Sequence, residues 1–205
     1  MNFSTYSFRH AEVILTEDEF AYQYAELLNI VKNISDDDII TKHESYANKR
    51  PKSLSVAINE LLKERFIEAG WESESAIFHD SRYSKGSRWR LDFAKEDISI
   101  EVAFNHGEAT AWNLIKPVLA SELNHVEKNI QTQIGVIITA AQDMKEAGGF
   151  DSAVGTYEKF IDYLQPFQNI LTVPILLIGL NRPETFEIAH EKDKKGRNHG
   201  HIVRV

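Results

Sequence analysis

Residues 89–104, which read WRLDFAKEDISIEVAF, decide the fold of this chain. Trp89–Ala94 alternates between apolar and polar side chains, and Ile98–Phe104 is a run rich in β-branched residues. A spacer of three residues, the length of a tight hairpin connection, separates them. The pattern therefore predicts two adjacent antiparallel strands that each carry an acid, Asp92 on the first and Glu101 on the second.

The rest of the chain predicts helices and strands in alternation around this hairpin. We expect helices over about 17–32, from 53 or 55 to 69, over about 108–129 and over 156–164, and further strands at 71–78, 134–139 and 174–180. The acidic stretch Ser35–Asp38 is expected to break the first helix, Pro117 to kink the third, and 140–156 to form a loop. Strands separated by helices indicate an α/β fold, a single domain with a central mixed β-sheet flanked by helices.

The composition is that of an ordinary soluble globular protein. With 205 residues, 42% hydrophobic and 26% charged, the chain is long enough for one compact domain, residues 1–205. It contains no cysteine, which excludes a disulfide scaffold and a thiolate metal site and fits a reducing cytoplasm. No apolar run approaches the ~18 residues that span a bilayer, and no signal-peptide pattern opens the chain. We therefore expect a cytoplasmic protein with no membrane partner.

The net charge of −8 argues against a nucleic-acid partner unless the cations are clustered. Two basic clusters exist: Arg82–Arg90, with four cations and no acid, and Lys192–Arg204, with five cations and one acid. Each cluster is either a solvated loop or a contact to phosphates, and both interpretations stay open. The pair His199 and His201 has ligand-like spacing, but without a third ligand nearby we favour contact of this tail with DNA over metal binding.

Two carboxylates on neighbouring strands can converge on one point. A carboxylate within a β-branched strand is costly to bury unless it is paired, protonated or bound to a cation. Two such acids repel each other, and a divalent cation, with Mg²⁺ favoured by oxygen ligands, removes that repulsion. The alternative is that Asp92 caps the hairpin and Glu101 forms a salt bridge with an arginine such as Arg90. Spacing alone leaves both interpretations open.

The sequence resembles a known nuclease group well beyond the two acids. Asp92 followed by Glu101-Val102-Ala103 looks like the PD-(D/E)xK nuclease motif. Along most of the chain, in order and at similar spacing, it is similar to the type II restriction endonucleases of the BglII and BstYI group. The matching segments are TYSFRHAEVIL (5–15), SVAINELLKERFIEAGW (55–71), DFAKEDISIEVAF (92–104), IGVIIT (134–139), VPILLIGL (173–180) and GHIVRV (200–205).

The resemblance implies a restriction-endonuclease-like core and a homodimeric, Mg²⁺-dependent enzyme. Such an enzyme cuts double-stranded DNA at a short palindromic site, and each subunit cuts one strand. The resemblance implies Asp92, Glu101 and Val102 as metal ligands and Glu74 as an additional acidic active-site residue. The alternative for Glu74 is an exposed surface glutamate.

The chain departs from the motif at Ala103, where the resemblance leads us to expect lysine or glutamine. That polar residue helps to place and activate the attacking water, which alanine cannot do. The role has moved to Asn105, Glu74 or Lys116, or the metal-bound water and a substrate phosphate suffice, or the chain is a weakened or inactive DNA-binding homologue. We favour migration, with Asp92, Glu101, Glu74 and Asn105 as the catalytic set.

The segment after the second strand and the loop over 140–156 are the candidate base-reading regions. Asn and His side chains can contact base edges or phosphate, and the loop is longer than an ordinary connection. A solvent-exposed connector is the alternative for the loop. The helix around Trp112–His125 supplies dimer contacts or packs in the core. The candidate DNA-binding residues are Asn105, His106, Lys116, Gln142, Asp143, Lys145, Ser152, Lys195 and Arg197.

Other protein classes also fit the acidic pair. A repair or transposition nuclease on the same fold would use the same carboxylates for a different DNA substrate. An acidic protein that does not bind nucleic acid would keep Asp92 and Glu101 as purely structural groups.

Overall fold

A six-stranded mixed sheet lies at the centre of the structure. The computed structural model describes residues 1–46, 50–86, 88–122, 125–192, 196 and 198–205. The strands of the chain are β1 (Phe3–Phe8), β2 (Glu72–Ala76), β3 (Arg90–Lys95), β4 (Ile98–Val102), β5 (Ile134–Ala140), β6 (Ile175–Leu180), β7 (Phe186–Lys192) and β8 (Asn198–Arg204). The helices are α1 (Ala11–Leu15), α2 (Ala21–Lys32), α3 (Asp36–Ser45), α4 (Ser55–Glu68), α5 (Ser81–Ser84), α6 (Thr110–Ser121), α7 (Gln142–Ala147) and α8 (Tyr157–Leu164).

The order of strands in the central sheet is β1-β6-β5-β4-β3-β2. The inner strands β4, β5 and β6 are parallel, whereas β1, β3 and β2 join antiparallel. The mixed α/β fold predicted from alternating helices and strands is therefore confirmed. Strands β7 and β8 form a separate two-stranded sheet.

Helices cover both faces of the sheet, which explains why β5 and β6 are apolar throughout and wholly buried. Alternate side chains of β5 point to opposite faces. Val136 packs in one core cluster with Leu27 of α2 and Phe66 of α4. Ile137 packs in another with residues of α6 and α8, such as Leu114.

Two glycines let helices approach the sheet closely. A Cβ on Gly135 of β5 would lie 2.5 Å from the Cβ of Pro117, so α6 rests on β5 at its proline. A Cβ on Gly179 of β6 would lie 2.5 Å from Cγ of Tyr157 at the start of α8. These contacts fix the heights of α6 and α8 above the sheet.

Several predicted boundaries are wrong. The helix expected over about 17–32 is α2, which begins at Ala21, and the helix expected over about 108–129 is α6, which ends at Ser121. The stretch Ser35–Asp38 begins helix α3 through a capping box, because Ser35 Oγ accepts from the Asp38 N–H while Asp38 accepts from the Ser35 N–H. The expected loop over 140–156 contains helix α7.

Within the residues given above, none of the helices has the length and apolar character needed to cross a bilayer.

Candidate active site

The two predicted carboxylates lie side by side on β3 and β4. Phe93 pairs with Ile100, so the next pair along the hairpin sets Asp92 opposite Glu101. The Asp92 Oδ2 atom accepts a hydrogen bond of 2.7 Å from the backbone N–H of Val102. Glu101 is only 1% exposed. The hairpin pattern thus brings both acids to one place, as predicted.

The cation that meets Glu101 is Lys116. Lys116 lies on α6, is 8% exposed, and donates hydrogen bonds to Glu101 Oε2 and, at 3.1 Å, to the Arg90 carbonyl oxygen. The alternative of an Arg90–Glu101 salt bridge is wrong. The Arg90 guanidinium instead donates to the backbone carbonyls of Glu74, Ser84 and Gly86.

The electrostatic environment of Asp92 and Glu101 favours the binding of a cation. Burial raises the pKa of Asp92, opposed by the charge of Lys116. Burial and then the neighbouring Asp92 raise the pKa of Glu101 well above its ordinary value, again opposed by Lys116. The Oε1 atom of Glu101 is buried and lacks a hydrogen-bond partner among the described residues. A divalent cation bound there would give that oxygen a partner and would remove the repulsion between the two carboxylates.

A cavity of about 220 Å³ opens beside Asp92. Its walls are Asn59, Lys63, Glu74, Asp92, Phe93 and Val102. The sequence reasoning missed Asn59 and Lys63. Their i, i+4 spacing on a predicted helix sets them on one face, which is the sequence signal that could have identified them.

Glu74 stands next to Asp92, where the resemblance implied it. Ser73 pairs with Phe93 and Ser75 with Leu91, so Glu74 lies opposite Asp92 across the β2–β3 ladder. Its φ of 54° falls in the left-handed region that residues other than glycine rarely adopt. Arg90 Nη1 donates to the Glu74 carbonyl at 2.7 Å and so holds this strained backbone. Strain of this kind concentrates at functional sites.

The donor set at the pair suits Mg²⁺ with much of its water retained. Over the described ranges, no cluster of three or more aspartate, glutamate or histidine side chains is arranged around one point. Asp92 and Glu101 would be the two side-chain ligands. Two carboxylates with several retained waters is the usual way in which Mg²⁺ binds to proteins.

Ala103 faces the core. It is 1% exposed, packs in the cluster with Leu114 and Phe160, and donates its N–H to the Ile138 carbonyl at 2.8 Å. Asn105, one of the residues considered for the missing polar role, accepts a hydrogen bond from Asn113 of α6 at 3.0 Å. That contact ties Asn105 to α6.

The predicted base-reading segments meet at one surface. The exposed His106 forms an isolated antiparallel β-bridge with Val154, and the Gly107 N–H donates to the Ala153 carbonyl at 2.7 Å. The segment that follows β4 therefore lies beside the segment with Ser152. Lys145 Nζ donates to the carbonyls of Ser152 and Val154 at 2.7 and 2.9 Å.

Two of the remaining DNA candidates lie on α7 and make local contacts. Gln142 pairs with Glu146 of α7 at 2.8 Å, and Asp143 accepts from the Met144 N–H at 2.7 Å. Lys116 is buried at the carboxylates. Lys195 and Arg197 lie outside the described residues.

Only part of the basic cluster at residues 82–90 faces solvent freely. Arg82 holds Asp80 through two hydrogen bonds of 2.9 and 2.6 Å, and Arg90 is used by backbone carbonyls. Lys85 and Arg88 are exposed and have no hydrogen bond or ion pair to another described residue. Trp89 packs edge-on against Trp112 of α6, with ring centroids 5.2 Å apart.

Comparisons with known proteins agree with this fold. The family model described as "Restriction endonuclease BglII/BglIII" matches residues 3–180. The crystal structure of BglII complexed with a DNA 16-mer is similar at a TM-score of 0.69 and 18% identity, with 100% of each chain covered. The crystal structure of free BglII is similar at 0.54 and 17%, also over 100% of both chains. No curated protein matches the sequence.

Fold and family match together define a restriction endonuclease. The chain belongs to the BglII/BglIII family of restriction endonucleases. It is a type II enzyme that cleaves DNA at specific sites, as the resemblance predicted.

Proposed function

We propose that residues 1–205 form one endonuclease domain that hydrolyses double-stranded DNA at a short palindromic site, with Mg²⁺ held by Asp92 and Glu101. The buried Glu101 Oε1 atom, which lacks a described partner beside a second carboxylate, is the observation that carries this proposal. An uncompensated pair of acids is costly in a protein interior unless a cation joins it. Val102 could contribute only main-chain atoms as a further ligand, because its side chain is apolar.

In the proposed site, some residues bind the metal and another positions a water. When bound, Mg²⁺ supplies Lewis-acid stabilisation of the phosphodiester and lowers the pKa of a coordinated water. Asp92 is held in place by the Val102 N–H, and Glu101 by Lys116. Glu74, at the cavity beside Asp92, holds or orients a water.

Double-stranded DNA is the partner that the charged surface fits despite the net charge of −8. Lys85 and Arg88 would meet phosphates, and the joined segments that carry Asn105, His106 and Ser152 would face bases or phosphates. Gln142, Asp143 and Lys145 lie on α7, which contacts the segment with Ser152 through Lys145, and Lys195 and Arg197 are candidate phosphate contacts on sequence alone. The likeness to BglII bound to a DNA 16-mer supports this partner.

A palindromic site calls for two-fold symmetry, so we propose a homodimer in which each subunit cuts one strand. The half-buried Trp112, Ile115 and Val118 of α6 are the candidate contacts. A protein that acts on DNA and carries no cysteine fits the cytoplasm.

Digestion of plasmid DNA tests the proposal. Discrete fragments that require Mg²⁺, with sequenced ends sharing one palindrome, are the expected result. Glu101→Ala should abolish cutting and leave salt-dependent DNA binding intact. Tight binding without cleavage, even with Mn²⁺, would favour an inactive homologue instead. Absence of any salt-dependent DNA binding would refute the nuclease altogether.

A further inference from the structure

We propose that Lys116 replaces the polar side chain that Ala103 lacks, and that its ammonium orients the attacking water and stabilises negative charge on the scissile phosphate. The inference rests on the proposed function and names a residue of the same site. Lys116 lies on a helix, thirteen positions after Ala103 in the sequence, so no strand motif can include it.

The packing of α6 brings a helical side chain to the position that a long residue 103 would serve. Residues 101 and 103 of one strand project to the same face of the sheet. Helix α6 covers that face, because Leu114 packs in the cluster with Ala103 and Pro117 rests on Gly135. From there the Lys116 ammonium reaches Glu101 Oε2. A lysine at position 103 would reach the same Glu101 carboxylate from the strand.

The hydrogen bonds of Lys116 leave donor capacity for a substrate. An ammonium has three N–H donors. Two acceptors are seen among the described residues, Glu101 Oε2 and the Arg90 carbonyl. The third donor is available to a water or a phosphate oxygen.

Stability alone is a weak reason for this ion pair. Lys116 is 8% exposed and Glu101 is 1% exposed, so both charges are removed from water. The desolvation of such a pair offsets much or all of its attraction, and apolar residues of similar volume often stabilise a core as well or better. A function at the adjacent site is the better explanation for a buried lysine here.

The other candidates serve the role less well. Asn105 is tied to Asn113, and Glu74 carries the wrong charge to stabilise a phosphate. Lys63 lines the cavity, but it is exposed on α4 and acts on Asp92 through its charge. Lys95 of β3, which pairs with Glu26 of α2 at 2.7 Å and does not line the cavity, is the matched control for Lys116.

Transfer of the lysine from helix to strand tests the proposal. Lys116→Met keeps the length of the side chain and removes its charge. We expect it to cut plasmid DNA about 10²–10⁴-fold more slowly than the wild type under single-turnover conditions. Adding Ala103→Lys to Lys116→Met should recover at least tenfold of the loss. Lys95→Met, which also removes a lysine from an ion pair, should lose less than threefold.

Metal binding supplies a readout that does not depend on cleavage. Calorimetric titration with Mg²⁺ should show that Lys116→Met binds the ion at least as tightly as the wild type, because the ammonium repels it. Weaker binding would make Lys116 a structural support of Glu101 and would overturn the proposal. Cleavage by Lys116→Met within threefold of the wild type would overturn it as well. So would a lack of recovery in an Ala103→Lys/Lys116→Met protein that folds like the wild type by circular dichroism. A wild type that neither binds Mg²⁺ nor cuts would overturn this role and the proposed function together.

The lack of native cysteine allows a second route if Lys116→Met folds poorly by circular dichroism. Lys116→Cys can be alkylated under denaturing conditions with bromoethylamine, which creates a lysine analogue, and then refolded. Recovery of cleavage after aminoethylation, but not after treatment with iodoacetamide, is the expected result. Equal activity of the two products would contradict the proposal.

Discussion

The Asp92 Oδ2 atom accepts the backbone N–H of Val102 at 2.7 Å, which ties the carboxylate of β3 to β4 beside Glu101. An asparagine can keep this hydrogen bond through its carbonyl oxygen but cannot keep the charge. Asp92→Asn should therefore fold normally and lose cleavage by about 10²-fold or more, since metal-ion stabilisation of charge is worth several kcal/mol. Cleavage rates and urea unfolding measure the two effects.

Asp92→Ala is the comparison. It leaves the Val102 N–H without an acceptor, and we expect the free energy of unfolding to fall by about 1–3 kcal/mol. Cleavage by Asp92→Asn at the wild-type rate would contradict a metal role for this carboxylate.

Lys85 and Arg88 are expected to contribute to DNA affinity through phosphate contacts. Replacing either with glutamine should weaken binding for all sequences and reduce the slope of log K against log salt by about 1. Fluorescence anisotropy with a labelled duplex over a range of NaCl concentrations measures that slope. Arg82→Gln is the control, because Asp80 already neutralises Arg82, and its slope should stay near that of the wild type. Equal slopes for all three variants would argue against a DNA contact here.

The contact of Pro117 with Gly135 sets the position of Lys116, which gives a prediction at a distance from the carboxylates. Gly135→Ala would place a methyl group 2.5 Å from the Pro117 Cβ and push α6 from the sheet. The expected cost is about 1–3 kcal/mol of unfolding free energy, together with slower cleavage. Gly179→Ala strains α8 in the same way but leaves α6 alone. It should lose similar stability and retain more activity in the folded protein. Equal loss of activity in both variants would contradict the link.

His43 should make the protein less stable in mild acid. The side chain is fully buried, its Nε2 atom lies 3.2 Å from the Gly200 carbonyl, and burial lowers its pKa. Arg50 lowers it further, whereas Glu44 and the hydrogen bond raise it. The unfolded chain therefore binds a proton near pH 6.5 that the folded chain resists, so stability falls as pH decreases through that value.

Urea unfolding at pH 7.5 and pH 5.5 tests the effect of His43. The wild type should lose more unfolding free energy between the two values than His43→Gln, which cannot titrate. A pH dependence that is the same in both proteins would assign the acid sensitivity to other groups.

The part of the site that the sequence predicts is the part built from local contacts. Asp92 and Glu101 lie on one hairpin, so alternation and a short spacer sufficed to bring them together. Lys116 reaches them through the packing of a helix on a sheet, which depends on the Gly135–Pro117 contact. No pattern within α6 shows which of its faces meets β4.

The fold, too, is predictable from the sequence where it depends on local patterns and not where it depends on distant contacts. The apolar runs of β5 and β6 predicted buried inner strands, and the structure confirms them. Strand β1 pairs with a partner far along the chain, and the β7–β8 hairpin docks partly through the Pro51 carbonyl. Neither of these leaves a local signature. Helix α3 has one, the Ser35 and Asp38 capping box, but a run of acids is also typical of a break between helices.

The pairing of β1 with β6 has a kinetic consequence. Strand β1 cannot join the sheet until β6 is available to pair with it, and contacts so distant in sequence form slowly. Ribosomes extend a chain at about 5–20 residues per second, so β1 spends on the order of 10–30 seconds of synthesis without its partner. The nascent enzyme therefore completes the sheet that carries its cutting site only after β6 has been synthesised.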